Sequence, residues 1–116
     1  MRQHASLTLE RWAAYTRDQQ ILMIANEMNR ASKLFGPRDR DRLKNAYERV
    51  LRLADLTTEA QPSRSLRREL RRWRELAAGV YLEPEEGRHR ALFRALLLLT
   101  PAGAKQLPLL MDGGRR

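Results

Sequence analysis

Residues 66–82 constrain the fold of this chain more than any other part of its sequence. Five apolar residues in this segment recur at intervals of four, three, four and three, and they are Leu66, Leu70, Trp73, Ala77 and Val80. This spacing matches the period of an α-helix and places the five side chains along one side of it. Most of the other positions are charged. The segment therefore predicts a helix that contacts a hydrophobic core on one side and carries charge on the others.

The rest of the chain repeats this helical period, and no segment shows the alternation of apolar and polar residues that is typical of a β-strand. We expect three further helices, at residues 9–35, 37–56 and 83–99, with Ser63 or Ser65 as the N-cap of the helix described above. Because the connections are short, neighbouring helices should be antiparallel. The predicted fold is an all-α antiparallel four-helix bundle with short loops and an irregular or partly helical C-terminal tail.

A polar stretch in the middle of the first predicted helix could interrupt it, since Thr16 and Gln19 match the pattern of a capping box. A continuous helix nevertheless keeps Trp12, Ile24 and Ala31 on one broad apolar face. We therefore expect the helix to continue through this stretch.

A chain of 116 residues suits a single domain that buries its own core without metals or disulfides. We expect residues 1–101 to form this helical domain. Residues 102–116 should form a tail that packs on the bundle or on a partner. The arm of residues 1–7 and the final Gly-Gly-Arg-Arg should be disordered.

The composition limits the classes of function. The chain has no cysteine, which excludes a disulfide framework and a thiolate zinc site and fits a reducing compartment. No apolar signal-peptide segment lies near the start, and the longest strongly apolar run, residues 95–99, is too short to cross a bilayer. We therefore expect a cytoplasmic protein without a membrane partner.

The net charge of +9 makes a negatively charged partner the first class to consider. In the third helix, Arg64, Arg67, Arg71 and Arg74 lie on one stripe beside the core face, where few acidic residues reach them. A stripe of this kind is a candidate binding site for the phosphates of a polyanion.

The opposite stripe of the same helix carries Arg68 and Arg72. Both lie within reach of Glu69 and Glu75, so we expect them to be neutralised locally. Trp73 lies on the core side of the helix, and stacking against nucleic-acid bases is therefore not indicated.

Residues that carry catalysis are scarce. The sequence contains no cysteine nucleophile, no Gly-x-Ser-x-Gly and no glycine-rich phosphate loop. Glu86 and His89 match Glu-x-x-His, which resembles one half of a carboxylate-bridged di-metal site in a helical bundle, but the second copy is absent. We interpret Glu86 as an acid that complements a helix dipole, and we expect no metal, no cofactor and no enzymatic activity.

Glu27 is the polar residue that we expect to be buried. It lies on the same arc of its helix as Met23, Ile24 and Ala31. A carboxylate near a core needs a partner or a shifted pKa. It could act as a general base, or it could form a structural pair with an arginine of a neighbouring helix. We favour the structural pair, because a structural ion pair can shift the pKa of a carboxylate as readily as a catalytic site can.

Leu96, Leu97, Leu98 and Leu99 are consecutive, so on a helix they point in four directions about 100° apart. A bundle core buries about two of them. The others form a candidate interface with a second subunit, or they are covered by the apolar residues of the tail, which are Leu107, Leu109, Leu110 and Met111.

These patterns favour a non-enzymatic interaction module that self-associates or binds a protein partner. The alternative is a nucleic-acid-binding accessory protein that uses the arginine stripe of the third helix. The two interpretations depend on different surfaces, the leucine-rich end of the fourth helix for the first and the stripe from Arg64 to Arg74 for the second.

Overall fold

The computed structural model describes residues 8–112, and throughout this range the regular structure is helical, with no strand. The helices are α1 (Leu9–Ala13), α2 (Arg17–Ala31), α3 (Arg40–Ala60), α4 (Arg64–Leu82), α5 (Glu86–Leu97) and α6 (Pro101–Lys105). A 3₁₀ turn at Pro37–Asp39 precedes α3, and a π-helical turn occupies Pro108–Asp112. The predicted all-helical class is confirmed. The disorder expected for residues 1–7 and for the last four residues lies outside the described residues.

The first predicted helix is in fact two helices, and the prediction that it continues through its polar stretch is wrong. The Thr16 hydroxyl accepts a hydrogen bond from the Gln19 backbone at 3.1 Å, and the Gln19 side chain accepts from the Thr16 backbone at 2.8 Å. This reciprocal capping box starts α2. The side-chain amide of Gln20 donates to the carbonyl oxygens of Trp12 at 2.8 Å and Tyr15 at 3.2 Å. Side chains of Thr16, Gln19 and Gln20 thus bond to backbone groups on both sides of the break.

Contacts with α3 hold the break in place. The side-chain amide of Gln61 donates to that of Gln20 at 2.7 Å, and both residues are buried. The indole of the fully buried Trp12 donates to the hydroxyl of Thr57 at 2.9 Å. The hydroxyl of Thr57 in turn donates to the carbonyl oxygen of Leu53 at 2.8 Å. α3 continues to Ala60, beyond residue 56, where the second predicted helix was expected to end.

The four longer helices, α2 to α5, enclose the hydrophobic core. α2 contacts α3, α3 contacts α4, α4 contacts α5, and α5 contacts α2. Arg74 of α4 bonds to Asp55 of α3, and Tyr81 of α4 bonds to Glu48 of α3. The later residue of α4 therefore pairs with the earlier residue of α3, as in an antiparallel pair of helices. The described residues form more helices than the expected bundle of four, because the shorter helices α1 and α6 pack beside the longer ones.

α4 forms as its sequence predicts. The Ser63 hydroxyl accepts from the Leu66 backbone at 3.2 Å and caps the helix, which ends at Leu82. The five residues of the predicted apolar stripe are all buried, and they are Leu66, Leu70, Trp73, Ala77 and Val80. The indole of Trp73 donates to the carbonyl oxygen of Leu92 at 2.8 Å and joins α4 to α5.

The described part of the tail packs on the same chain through α6 and through apolar residues beyond it, although Leu109 is 70% exposed. Thr100 caps α6 by accepting from the Gly103 backbone at 3.0 Å, and α6 contacts both α2 and α5. A Cβ atom at Gly103 would collide with the carbonyl oxygen of Leu97, so the close approach of α6 to α5 requires glycine. Met111 is buried, and Leu107 and Leu110 pack against the core.

Candidate functional site

The outward side of α4 carries a row of arginines that have no acidic partner among the described residues. We call this row the arginine face, and its members are Arg64, Arg67, Arg68, Arg71 and Arg72. The buried apolar stripe orients the helix, and the positions between its members therefore point to solvent. Arg67 is partly exposed and the other four are exposed. Within residues 8–112, none of the five forms an ion pair or a side-chain hydrogen bond.

Arg74 was expected to belong to the same bare stripe, but the structure pairs it. Its Nε donates to Oδ1 of Asp55 at 3.1 Å and its Nη2 donates to Oδ2 at 3.3 Å. This two-pronged contact matches the fork of the guanidinium to the carboxylate. Arg74 lies on the side of α4 that faces α3, and its charge is neutralised there. The bare part of the predicted stripe is therefore Arg64, Arg67 and Arg71.

The local pairs expected for Arg68 and Arg72 do not form in the described part of the chain. Glu69 and Glu75 are close in sequence, but exposed helical pairs gain only about 0.3–0.5 kcal/mol and must order two long side chains. These two arginines therefore extend the positively charged surface of the arginine face.

The arginine at the start of α4 does not stabilise the helix. The first turn of α4 contains no acidic residue and begins with Arg64. A cation at this end opposes the helix dipole, which favours negative charge near the N-terminus. A local rule broken in this way is typical of a functional surface. The start of α4 and the arginine face both favour a negatively charged group.

Aromatic rings are not part of the arginine face. Trp73 is buried, and its indole N–H is already bonded to Leu92. The Tyr81 hydroxyl donates to a carboxylate oxygen of Glu48 at 2.7 Å, and this hydrogen bond raises the pKa of Tyr81. The face thus offers guanidinium groups, which suit phosphate, and no surface for base stacking.

Glu27 lies between α2 and α3, and 9% of its surface is exposed. Its Oε1 accepts from Nε of Arg49 on α3 at 3.1 Å, and its Oε2 accepts from Nη1 of Arg30 at 3.5 Å. Both oxygens are engaged by cations. This geometry corresponds to the structural pair with an arginine of a neighbouring helix.

Glu27→Ala should lower the free energy of unfolding by about 1–3 kcal/mol, because it leaves the Arg49 guanidinium without its partner at a half-buried site. Glu27→Gln should lower it less, since the amide oxygen still accepts a hydrogen bond. Urea denaturation measures both effects. Glu59→Ala, at an exposed position, is the matched control. Equal stability of the wild type and both Glu27 variants would show that the pair contributes nothing.

His89 occupies a site that the sequence did not identify. It is 2% exposed, and its Nδ1 lies 2.6 Å from the Tyr47 hydroxyl while its Nε2 lies 2.9 Å from the Ser32 hydroxyl. The Ser32 hydroxyl also donates to the carbonyl oxygen of Met28 at 3.0 Å. If the Ser32 proton is assigned to this bond, the hydrogen-bond pattern assigns the ring proton to Nε2, and Nδ1 accepts from Tyr47. Every donor in this network has an acceptor, and the network joins α2, α3 and α5.

Burial lowers the pKa of His89 to about 4 and raises the pKa of Tyr47, so both groups are neutral at physiological pH. The Ser32 proton is bonded to a backbone carbonyl and not to the imidazole, which is not the arrangement of an activated nucleophile. The signal that locates His89 in the core is its spacing of three and four residues before Leu92 and Phe93. Glu86, the other residue of the Glu-x-x-His match, is exposed.

The four consecutive leucines divide into two groups. Leu96 and Leu97 are fully buried in the core of their own chain, and Leu99 is partly buried. Leu98 is 56% exposed. Leu96 and Leu97 are therefore not available as interface residues, because the core of their own chain already buries them.

Neither a metal cluster nor a membrane span is found in the part of the chain that the structure describes. Between residues 8 and 112, no three histidine or acidic side chains converge in a way that could hold a metal ion. No helix there combines the length and the apolar character required to cross a bilayer. The chain matches no protein-family model, no curated protein and no solved structure.

Proposed function

We propose that this chain is a non-enzymatic interaction module of the cytoplasm, with its longer helices arranged as an antiparallel bundle, and that its arginine face binds the phosphate backbone of a nucleic acid. The observation that carries the proposal is the set of five arginines on one side of α4 that have no acidic partner within residues 8–112. An accessory role fits this surface, because backbone contacts position a protein on nucleic acid without reading its sequence.

The physical basis is the match between guanidinium and phosphate. The arginine face extends over about 12 Å of helix, at about 1.5 Å per residue. Each guanidinium that contacts a phosphate releases counterions, and this release makes binding favourable at low salt. The net charge of +9 adds long-range attraction that speeds association.

The non-enzymatic part of the proposal is supported by the buried network around His89. Ser32, Tyr47 and His89 satisfy one another's hydrogen bonds and join three helices. Glu27 is likewise held by two arginines. In the described part of the chain, the buried His89 and Glu27 and the hydroxyl groups of Ser32 and Tyr47 are thus engaged in structural contacts.

Binding to a labelled single-stranded RNA and to a labelled DNA duplex tests the proposal, with fluorescence anisotropy followed across salt concentration. The triple variant Arg64→Ala/Arg67→Ala/Arg71→Ala should reduce the slope of log affinity against log salt by about 2–3, since it removes three phosphate contacts. Affinity at moderate salt should fall roughly tenfold to hundredfold.

The matched control is Arg17→Ala/Arg38→Ala/Arg40→Ala, which removes the same charge from exposed positions outside α4. Its slope should stay close to that of the wild type. Equal losses in both triple variants would show that only the total charge matters. A wild-type protein that binds neither probe at physiological salt would end the proposal.

Docking of a protein partner is the second candidate function. Leu76 on α4 and Leu98 beyond the end of α5 are 55% and 56% exposed, and they leave apolar surface that a partner could cover. A different protein is favoured over a second copy. Leu96 and Leu97 are buried in their own chain, and two copies would each bring a net charge of +9.

A further inference from the structure

A shallow apolar groove runs between α4 and α5 on the surface of the bundle. It has a volume of about 230 Å³, and the residues that line it are Leu76, Val80, Arg88, Ala91, Leu92 and Ala95. Leu76, Ala91 and Ala95 are exposed, so they form apolar surface that no part of the chain between residues 8 and 112 covers. The small side chains of the two alanines allow the backbone of an approaching helix to come close.

Arginines border this groove. Arg88 lies within it, and its guanidinium passes 3.3 Å from the point that a Cβ atom at Gly79 would occupy. Arg72 lies one turn before Leu76 on α4, and Arg94 lies beside Ala91 on the far side of α5. None of the three arginines forms an ion pair within the described range. The groove therefore has an apolar surface at its centre and positively charged arginines at its edges.

The chain itself does not supply an acidic segment that could fill the groove. The described part of the tail packs elsewhere, where Met111 accepts a hydrogen bond from Arg90 and contacts the side of α5 away from α4. Residues 1–7 and 113–116 contain no aspartate or glutamate. A second copy would place its own arginines against those of the first. The border charges accordingly favour a different protein of opposite charge.

We propose that the groove between α4 and α5 binds an amphipathic helix of another protein, whose apolar stripe lies on Leu76, Ala91 and Ala95 and whose flanking glutamates or aspartates pair with Arg72, Arg88 and Arg94. This inference rests on the second candidate function above, and its surface shares only Arg72 with the arginine face. An apolar stripe in a groove supplies affinity, and the charges at its border set orientation and partner choice.

Two synthetic peptides of about 20 residues, long enough to form helix in water, test the inference by fluorescence anisotropy on the full-length protein. Both have the same leucine stripe, flanked by glutamates in one and by glutamines in the other. The acidic peptide should bind roughly tenfold more tightly than the neutral one. Arg72→Gln/Arg88→Gln should remove this preference, whereas Ala91→Gln/Ala95→Gln should weaken both peptides by filling the groove.

The variant Arg64→Ala/Arg67→Ala/Arg71→Ala is the control for attraction to the arginine face, and it should bind the acidic peptide about as well as the wild type. If it loses that binding while Arg72→Gln/Arg88→Gln retains it, the peptide binds the wrong surface and the inference is overturned. If both peptides bind equally and Ala91→Gln/Ala95→Gln weakens both, a helix docks in the groove, but the proposal that the partner helix is acidic is refuted. Binding of neither peptide would overturn both the inference and protein docking at this site.

Discussion

A chain that ends at Thr100 should lose about 3–5 kcal/mol of unfolding free energy relative to the full-length chain and should self-associate. The described part of the tail buries Met111 to 8% exposure and packs Leu107 and Leu110 against the core. Complete burial of such a side chain contributes about 1.5–3 kcal/mol, and partial burial about half of that. Removal of the tail also exposes apolar surface that a soluble monomer rarely tolerates. Urea denaturation gives the stability, and light scattering gives the state of association.

A full-length variant tests whether the effect of truncation comes from the packing of the tail. Such a variant disturbs the packing and keeps all residues of the tail. Gly103→Ala should shift stability in the same direction as truncation, because its Cβ would collide with the backbone carbonyl of Leu97. Gly36→Ala is the matched control, since a Cβ there meets nothing within 4 Å. A truncated chain that remains a stable monomer would show that the tail does not cover the core. A full-length dimer that survives truncation would instead support α5 as an interface.

Acidification should remove about 3 kcal/mol of stability through His89 alone. Its pKa is about 4 in the folded chain, against about 6.5 when unfolded, and one pKa unit corresponds to about 1.4 kcal/mol. Between these two values the unfolded chain binds more protons than the folded chain. The contribution of His89 is therefore complete above about pH 6.5 and is lost as the pH falls toward about 4.

Chemical denaturation of the wild type and of His89→Gln across this pH range measures the effect. Carboxylates titrate in both proteins, so the difference between the two curves isolates the histidine. The variant should be less stable at neutral pH, because a shorter amide replaces the ring between Ser32 and Tyr47, but its stability should depend less on pH. Parallel curves for the two proteins would show that His89 does not titrate with folding.

The sequence alone determined the parts of this protein that depend on local spacing. The period of the apolar residues in α4 predicted its orientation, and all five residues of that stripe are buried. Ser63 caps the helix as its type and position predict. Because the stripe sets the helix rotation, the outward direction of Arg64 and Arg71 also followed from the sequence. These features involve residues within a few positions of one another, and helix geometry relates such residues directly.

Tertiary contacts decided the features for which local spacing allows two answers. The capping box at Thr16 and a continuous helix were both compatible with the sequence, and the break is held by Gln61, which bonds to Gln20 from 41 residues away. The same holds for Arg74, whose partner Asp55 lies on α3, and for the network of His89 with Tyr47 and Ser32.

The consecutive leucines show the same division between sequence and structure. Spacing alone predicts that one core cannot bury all four of them. Only the path of the tail and the packing of α5 decided that Leu97 is buried while Leu98 remains exposed. The physical reason is that side chains distant in sequence complete each other's burial and hydrogen bonding. The free energy of those contacts depends on where the helices pack, which the period of a single helix does not specify.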